Sequence, residues 1–330
     1  MKPVRLVIQI PCFNEEETLP ATLKELPKQI EGVDEILVIV IDDGSTDRTA
    51  EVAKASGVDH VVQHPHNRGL AAAFRSGLEM ALQVDADIIV NTDGDNQYPG
   101  QYIPALAAPI LKGEADIVIG DRQTDRIAHF SPVKRLLQRL GSAVVRYVSG
   151  TKVPDAPSGF RALSREAAMQ LNLITNYTYT LEMIIQAGKK DMTISHIPIQ
   201  VNAQTRPSRL VRSNAGYVFR SVTAILHLFL LYEPIRSFLY ISIPFWLVGV
   251  GLWLRYFILY LSGQVSRGSN VQSVVVGSVA LIVAVFIDLI GLLGNILAVN
   301  RYLNEQILYT LKRLQFDANA RMSHTDDKTE

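Results

Sequence analysis

Two apolar runs near the C-terminus set the tightest limit on what this chain can become. Phe238–Leu261 carries one charge, Arg255, near its end, and Val271–Val299 is interrupted among charged residues only by Asp288. At about 1.5 Å of rise per residue, each run is long enough to cross a hydrocarbon core of about 30 Å. A buried core helix fits one such run, but two joined by the short stretch Ser262–Asn270 read as a membrane hairpin. The hairpin also explains a mean hydropathy of +0.15, high for a soluble protein. The flanks are basic, with Arg206, Arg209, Arg212, Arg220 and Arg236 before it and Arg301, Lys312 and Arg313 after it. The positive-inside rule then places both ends in the cytoplasm and the joining loop outside, with Arg255 snorkelling to the outer interface. An acid at mid-membrane, Asp288, costs about 2.5–3.5 kcal/mol on insertion scales. Gly291 and Gly294 nearby favour helix–helix contact over chemistry as its explanation. Tyr302–Phe316 reads as a helix on the inner surface, followed by a disordered polar tail.

The first two hundred residues have a different character. Strand-like runs at Val4–Ile10, Glu35–Ile41, His60–Val62, Asp87–Asn91 and Ala115–Gly120 alternate with helical stretches at Glu17–Leu26, Asp47–Ser56, Leu70–Leu82 and Gln101–Lys112. Apolar strands separated by amphipathic helices predict an α/β fold with a mostly parallel sheet covered on both faces. Further helices are expected at Pro132–Ser149, which is basic, at Ser164–Leu171 and at Tyr177–Ala187, with a late strand at Ile194–Val201. The expected divisions are 1–201 for the α/β domain, 202–237 for an amphipathic interface segment, 238–299 for the hairpin and 300–330 for a cytoplasmic helix and tail. The N-terminal stretch M-K-P-V-R-L-V-I-Q-I-P is too short and too soon interrupted for a signal peptide, so this domain is expected to stay on the cytoplasmic side. The single cysteine, Cys12, excludes an intrachain disulfide. With 32 basic and 32 acidic residues there is no excess of positive charge to suggest nucleic acid.

In open α/β sheets, ligands bind beyond the carboxyl ends of the strands. Those ends here carry Asn14-Glu15, Asp42-Asp43, Asp93 to Asp95, and Asp121-Arg122. Asp93 and Asp95, one residue apart after an apolar strand, can converge on a divalent cation, and hard oxygen ligands suit magnesium or manganese. Helix capping accounts for Ser45, Thr46 and Asp47 but not for the two acids before them, and a carboxylate there can accept hydrogen bonds from a base or ribose. Acids at a helix start also suit the macrodipole, which explains part of Glu15-Glu16-Glu17. Asn67-Arg68-Gly69 opens a helix whose N-terminus can face phosphate. Tyr177 and Tyr179 read as packing residues, and Glu182 as a weak functional candidate.

In chain order, P-C-F-N-E-E, D-D-G-S-T-D, N-R-G, D-G-D-N-Q, G-D-R at Gly120–Arg122 and S-G-F-R at Ser158–Arg161 resemble family 2 glycosyltransferases with the GT-A fold. Residues 206–210, R-P-S-R-L, look like a degenerate form of the R-x-x-G-x-S-K segment of the polyisoprenyl-phosphate subfamily, that of the dolichol-phosphate mannose synthases. The two spans resemble its bacterial undecaprenyl-phosphate glucosyltransferase branch. The resemblance implies inverting transfer of a hexose from a nucleotide-sugar onto a polyprenyl phosphate. UDP-glucose with undecaprenyl phosphate is the first choice and GDP-mannose the second. It implies that Pro11, Asn14, Glu15, Asp42, Asp43, Asp93 and Gly69 hold the nucleotide-sugar, and that Asp93, Asp95 and Gln97 form the metal and diphosphate site. Arg122, Lys134, Arg135 and Arg206 would bind the acceptor phosphate, and Asp95, Asp155 and Arg122 would carry catalysis. It also implies a bacterial inner membrane location and a homo-oligomer, such as a tetramer.

Other classes fit less well. A processive polysaccharide synthase carries Q-x-x-R-W, but both tryptophans, Trp246 and Trp253, lie in the first span. A nucleotidyltransferase or dinucleotide oxidoreductase needs a glycine-rich first loop, and Pro11–Glu17 has no glycine. A non-catalytic membrane scaffold or nucleotide sensor would have no need of the acidic cluster.

Overall fold

The computed structural model describes residues 3–123, 142–174, 179–202, 223, 226–227, 229–263 and 271–326, with side chains up to Phe316. The described chain divides into two compact units, residues 1–225 with 305–330 and residues 226–304.

The first unit is built on a seven-stranded sheet in the order β3-β2-β1-β4-β6-β5-β7. The strands are β1 (Arg5–Cys12), β2 (Glu35–Asp42), β3 (His60–Gln63), β4 (Ile88–Asn91), β5 (Ile117–Asp121), β6 (Arg161–Ser164) and β7 (Ile194–Pro198). All run parallel except β6, which is antiparallel to both β4 and β5. Strand order reverses between β1 and β4, which makes the crevice at their carboxyl ends the topological switch point.

Side chains alternate across β1, as the pleat requires. Leu6, Ile8, Ile10 and Cys12 join one core cluster with Leu19 of α1 (Leu19–Lys24), Ala53 of α2 (Thr49–Ala55) and Leu106 of α4 (Ile103–Leu111). Gln9 points to the other face, covered by α3 (Leu70–Gln83). Alanines and Gly77 on the buried side of α3 let it lie close: a Cβ at Gly77 would come within 2.9 Å of Ile41 Cδ1. Residues 142–149 are helical (α5), followed by α6 (Arg165–Gln170) and α7 (Tyr179–Lys189). Ser164 caps α6 by accepting from the Ala167 amide at 3.1 Å.

Nothing in the apolar pattern predicts β6. The helical stretch expected from Ser164 is present as α6, but the residues just before it form the one antiparallel strand. Among the described residues, the other strands and helices lie where the apolar pattern puts them; residues 132–141 of the expected basic helix, the start of the Tyr177–Ala187 stretch and most of the 202–237 segment lie outside the described residues.

The second unit contains the helix Pro234–Leu261 and part of the helix Val271–Asp326, both long and apolar enough to cross a membrane. Glycines mark their contact. A Cβ at Gly249 would strike Leu281, one at Gly291 would strike Phe238, and one at Gly294 would meet Pro234 at 3.0 Å. Trp246 Nε1 donates to Asp288 Oδ2 at 2.9 Å, so Asp288 serves this helix–helix contact, as the glycines suggested.

The segment after the second span departs from expectation. Val271–Asp326 is one continuous helix of 56 residues, not a span followed by a separate surface helix and a disordered tail. From Glu305 onward it belongs to the first unit. Lys190 and Glu305 form a buried ion pair at 3.0 Å, and Tyr309 Oη donates to Glu166 at 2.6 Å. Lys312 Nζ donates to Leu171 O at 3.1 Å and Asn172 Oδ1 at 3.0 Å. The polar side chains that sequence reading assigned to a membrane surface thus hold this helix to α6 and α7.

Candidate active site

The loop after β1 and the loop after β2 are stitched together. Asn14, at φ 55°, accepts from the Thr46 amide at 2.8 Å, and its own amide donates to Ser45 Oγ at 2.9 Å. The Glu15 amide donates to Thr49 Oγ1 at 2.8 Å, and Thr18 Oγ1 donates to the buried Glu15 carboxylate at 2.7 Å. Asp47 accepts from Thr49 and from the Glu16 amide. Burial alone would raise its pKa, but these hydrogen bonds hold it below the usual carboxylate range. The N-cap position of α2 is Arg48, without a side-chain cap; Asp47 accepts from the Thr49 amide, and Ser45 and Thr46 bond Asn14.

The two acids at the tip of β2 are buried and already in use. Asp42 accepts from the Ser45 amide at 2.9 Å and from Gln63 at 3.3 Å. Asp43 accepts from the Arg68 and Gly69 amides at 2.9 and 2.8 Å and lies 2.7 Å from His64 Nδ1. Gly69, at φ 90°, takes a conformation that favours glycine as the chain enters α3. Asp43 thus fixes the loop that delivers the N-terminus of α3.

The D-G-D-N-Q loop leaves β4 beside the end of β1, its parallel neighbour. Gly94 is required because a Cβ there would lie 2.7 Å from Cys12 Sγ. Burial and the charges of Glu15, Asp42, Asp93 and Asp47 push the Cys12 thiol up, so these four acids lie around the end of β1. Asp93 is half-buried. Its carboxyl is pushed up to about 7 by burial and by the charge of Asp95, with Arg122 opposing. Asp95 accepts from the Gln97 amide at 3.1 Å, and Asn202 pins the loop by donating to Asn96 O and Gln97 O, both at 2.9 Å.

A second segment meets this loop from the far side. A Cβ at Gly159 would sit 3.3 Å from Asp93 Oδ1, so S-G-F-R presses its backbone on the first acid of the pair. Beneath it runs a buried amide chain: Gln9 Nε2 donates to Asn91 Oδ1 and Asn91 Nδ2 donates to Gly159 O, each at 2.9 Å. Arg161, fully buried, donates to Ser158 O and to Thr180 O, each at 3.1 Å, which fixes the segment to α7. Asp155 is 3% exposed and takes a two-pronged grip from Arg122, Nε to Oδ2 at 2.8 Å and Nη2 to Oδ1 at 2.9 Å. Sequence reading expected Arg122 to face an incoming phosphate; its fork is committed to Asp155, which leaves the Nη1 edge for other acceptors.

Pro11 is the next-to-last residue of β1, paired with Ile41 of β2. Lys134, Arg135 and Arg206 lie outside the described residues, as does Tyr177. Glu182 is fully buried and accepts from the Ile174 amide at 3.2 Å and from Gln186, which makes it a structural anchor of α7. Arg161 and the Gln9–Asn91 pair were overlooked as supports. Only the polarity of Gln9, Asn91 and Arg161 inside otherwise apolar strands hinted at them.

Asp93, Asp95 and Gln97 supply only oxygen-rich donors, the set that hard divalent cations prefer. The two carboxylates repel each other, and a cation would relieve that repulsion. Among the described residues, no three His, Cys, Asp or Glu side chains form a ready-made metal cluster, so such a cation would complete its shell from substrate and solvent oxygens.

A mostly parallel sheet flanked by helices, with an acidic pair beyond its switch point, defines a GT-A-like fold. The chain belongs to glycosyl transferase family 2, whose family model matches residues 7–171, half of the chain. It is a glycosyltransferase. It is 36% identical to an uncharacterised protein of Methanocaldococcus jannaschii over 59% of this chain and 80% of that one. It is 27% identical to an undecaprenyl-phosphate mannosyltransferase of Micrococcus luteus over 59% of this chain and 83% of that one. Among solved structures, it resembles glucosyl-3-phosphoglycerate synthase of Mycobacterium tuberculosis bound to Mn2+, UDP and glucosyl-3-phosphoglycerate. The TM-score is 0.54 at 27% identity, over 68% of this chain and 78% of that one.

Proposed function

We propose that the protein transfers a hexose from a nucleotide-sugar to the phosphate of a polyprenyl lipid, with inversion at the sugar's anomeric carbon. The observation that carries the reading is the meeting of Asp93, Gly159 and the Arg122–Asp155 pair at the switch point, in a chain that also has two span-length helices. The undecaprenyl-phosphate mannosyltransferase among its relatives supports a lipid phosphate as acceptor.

In this reading, Pro11, Asn14 and Glu15 hold the nucleoside at the end of β1. Asp42 and Asp43 shape its pocket through the loops they fix, and Gly69 presents the N-terminus of α3 nearby. Asp93, Asp95 and Gln97 would hold magnesium or manganese, which would neutralise charge on the leaving diphosphate. Lys134, Arg135 and Arg206, with the remaining edge of Arg122, hold the incoming phosphate by charge-assisted hydrogen bonds. A phosphate monoester has a second pKa of about 6, so the attacking oxygen is already an anion at neutral pH and needs no general base. That oxygen bonds to the anomeric carbon as the bond to the diphosphate oxygen breaks, and the electron pair leaves on the diphosphate. Asp155 then orients Arg122 and does not accept a proton.

The donor we favour is UDP-glucose and the acceptor undecaprenyl phosphate, with the catalytic domain and both termini on the cytoplasmic face of a bacterial inner membrane. The UDP-bound structural neighbour supports the uridine base. GDP-mannose is the second reading, favoured by the mannosyltransferase relative. The test is a panel of UDP- and GDP-hexoses assayed with polyprenyl phosphate and manganese. One preferred donor yielding a glycolipid supports the proposal, and no lipid-linked product from any donor contradicts it.

A further inference from the structure

Among the described residues, two buried hydroxyls joined through Arg161 have no hydrogen-bond partner. Tyr179 Oη opens α7 on a side chain only 3% exposed, and Ser158 Oγ, fully buried, begins S-G-F-R. Interior polar groups are nearly always paired, and a buried tyrosine usually finds a partner for its hydroxyl. The ring of Tyr179 is accounted for by packing, 4.7 Å from the ring of Phe74. Its hydroxyl is not.

Arg161 ties the two residues together. Its Nε reaches Ser158 O, and its Nη1 reaches the carbonyl of Thr180, next to Tyr179. Ser158 also borders the proposed diphosphate site, since it precedes Gly159, whose backbone lies against Asp93, and Arg161 joins the first turn of α7 to that segment. Burial and the charge of Asp93 push the Tyr179 pKa up, so the group is neutral at any physiological pH.

We propose that the hydroxyls of Tyr179 and Ser158 hydrogen-bond the hydroxyl groups of the donor's sugar and set which hexose the enzyme accepts. Neutral groups that both donate and accept match a sugar hydroxyl, whereas the diphosphate requires charge, which Asp93 and Asp95 supply through a cation. A site built to hydrogen-bond a substrate hydroxyl rejects analogues that lack or misplace it. The inference rests on the nucleotide-sugar part of the proposed function and is independent of the acceptor.

The test measures donor binding by calorimetry on the full-length chain in detergent with manganese. UDP-glucose, UDP-galactose, UDP-N-acetylglucosamine and GDP-mannose are each compared with their nucleoside diphosphates. For Tyr179→Phe, the expected result is about ten-fold weaker binding of the preferred nucleotide-sugar, unchanged affinity for the nucleoside diphosphate and an unchanged melting temperature. Ser158→Ala should reduce discrimination among the sugars in the same way. Unchanged sugar preference in both variants overturns the inference, as does a wild type that binds no nucleotide-sugar more tightly than its diphosphate. A drop in melting temperature with equal losses for sugar-bearing and sugar-free ligands also overturns it, because it marks a structural role. Wild-type donor binding without transfer to polyprenyl phosphate counts against the acceptor reading alone.

Discussion

Arg122 grips Asp155 with two side-chain nitrogens at once, across 33 positions of sequence, and both residues are withdrawn from solvent. Removing one member of such a buried pair strands the other charge, which typically costs about 3–5 kcal/mol, while an apolar pair of similar size is often tolerated. Asp155→Leu should therefore lower the melting temperature sharply. Adding Arg122→Leu should restore much of it without restoring transfer. A double variant that recovers activity along with stability would show that the pair is only structural.

Arg122→Lys tests geometry apart from charge. Lysine keeps the positive charge but cannot form the paired contact. Transfer should fall at least ~100-fold, the scale seen when a single transition-state contact is lost, with much smaller loss of nucleoside diphosphate affinity. Steady-state kinetics alongside calorimetry separate the two.

The metal should compete with a proton at Asp93. Burial and the charge of Asp95 push its carboxyl up to about 7, so a proton opposes cation binding in this range. Because a carboxylate must lose its proton to bind a cation, manganese affinity should weaken about ten-fold from about pH 8 to about pH 6. Asp93→Asn should flatten that dependence. The same elevation favours the metal-free fold while Asp93 is protonated. That contribution is complete below the ordinary carboxylate pKa and is lost as pH rises through about 7. Calorimetric titrations and melting curves across this range check both signs.

Cys12 should resist alkylation in the folded protein. It is 2% exposed, and burial together with neighbouring acids holds its thiol protonated. Since the thiolate is the reactive form, iodoacetamide should label it only on unfolding, as mass spectrometry would show. Rapid labelling of the native chain would contradict the placement of Cys12 under Gly94.

Much of this architecture is legible in the residues. β1 and β2 are long apolar runs that stop at polar tips, so both the parallel sheet and the acids at its carboxyl ends can be read directly. β6 could not be, because R-A-L-S is short and carries Arg161 into the sheet, where its charge is answered by carbonyls from α7 and its own loop. With β6 unseen, the approach of Asp155 to Arg122 was hidden as well, since that reversed strand between β4 and β5 brings S-G-F-R back to the switch point. Tyr302–Phe316 looked like a membrane-surface helix because its polar residues, read alone, resemble a wet face. Their partners on α6 and α7 are distant in sequence and invisible to periodicity.

Mass spectrometry of the lipid product shows whether sugar reaches a polyprenyl phosphate. Purified protein is incubated with UDP-glucose or GDP-mannose, undecaprenyl phosphate and manganese, with and without chelator, for the wild type and for Asp95→Asn. A polyprenyl-phosphate hexose should form only with metal and only with Asp95 intact, as the proposed transfer requires. Glycolipid formed at the same rate by Asp95→Asn, or in excess chelator, would contradict it.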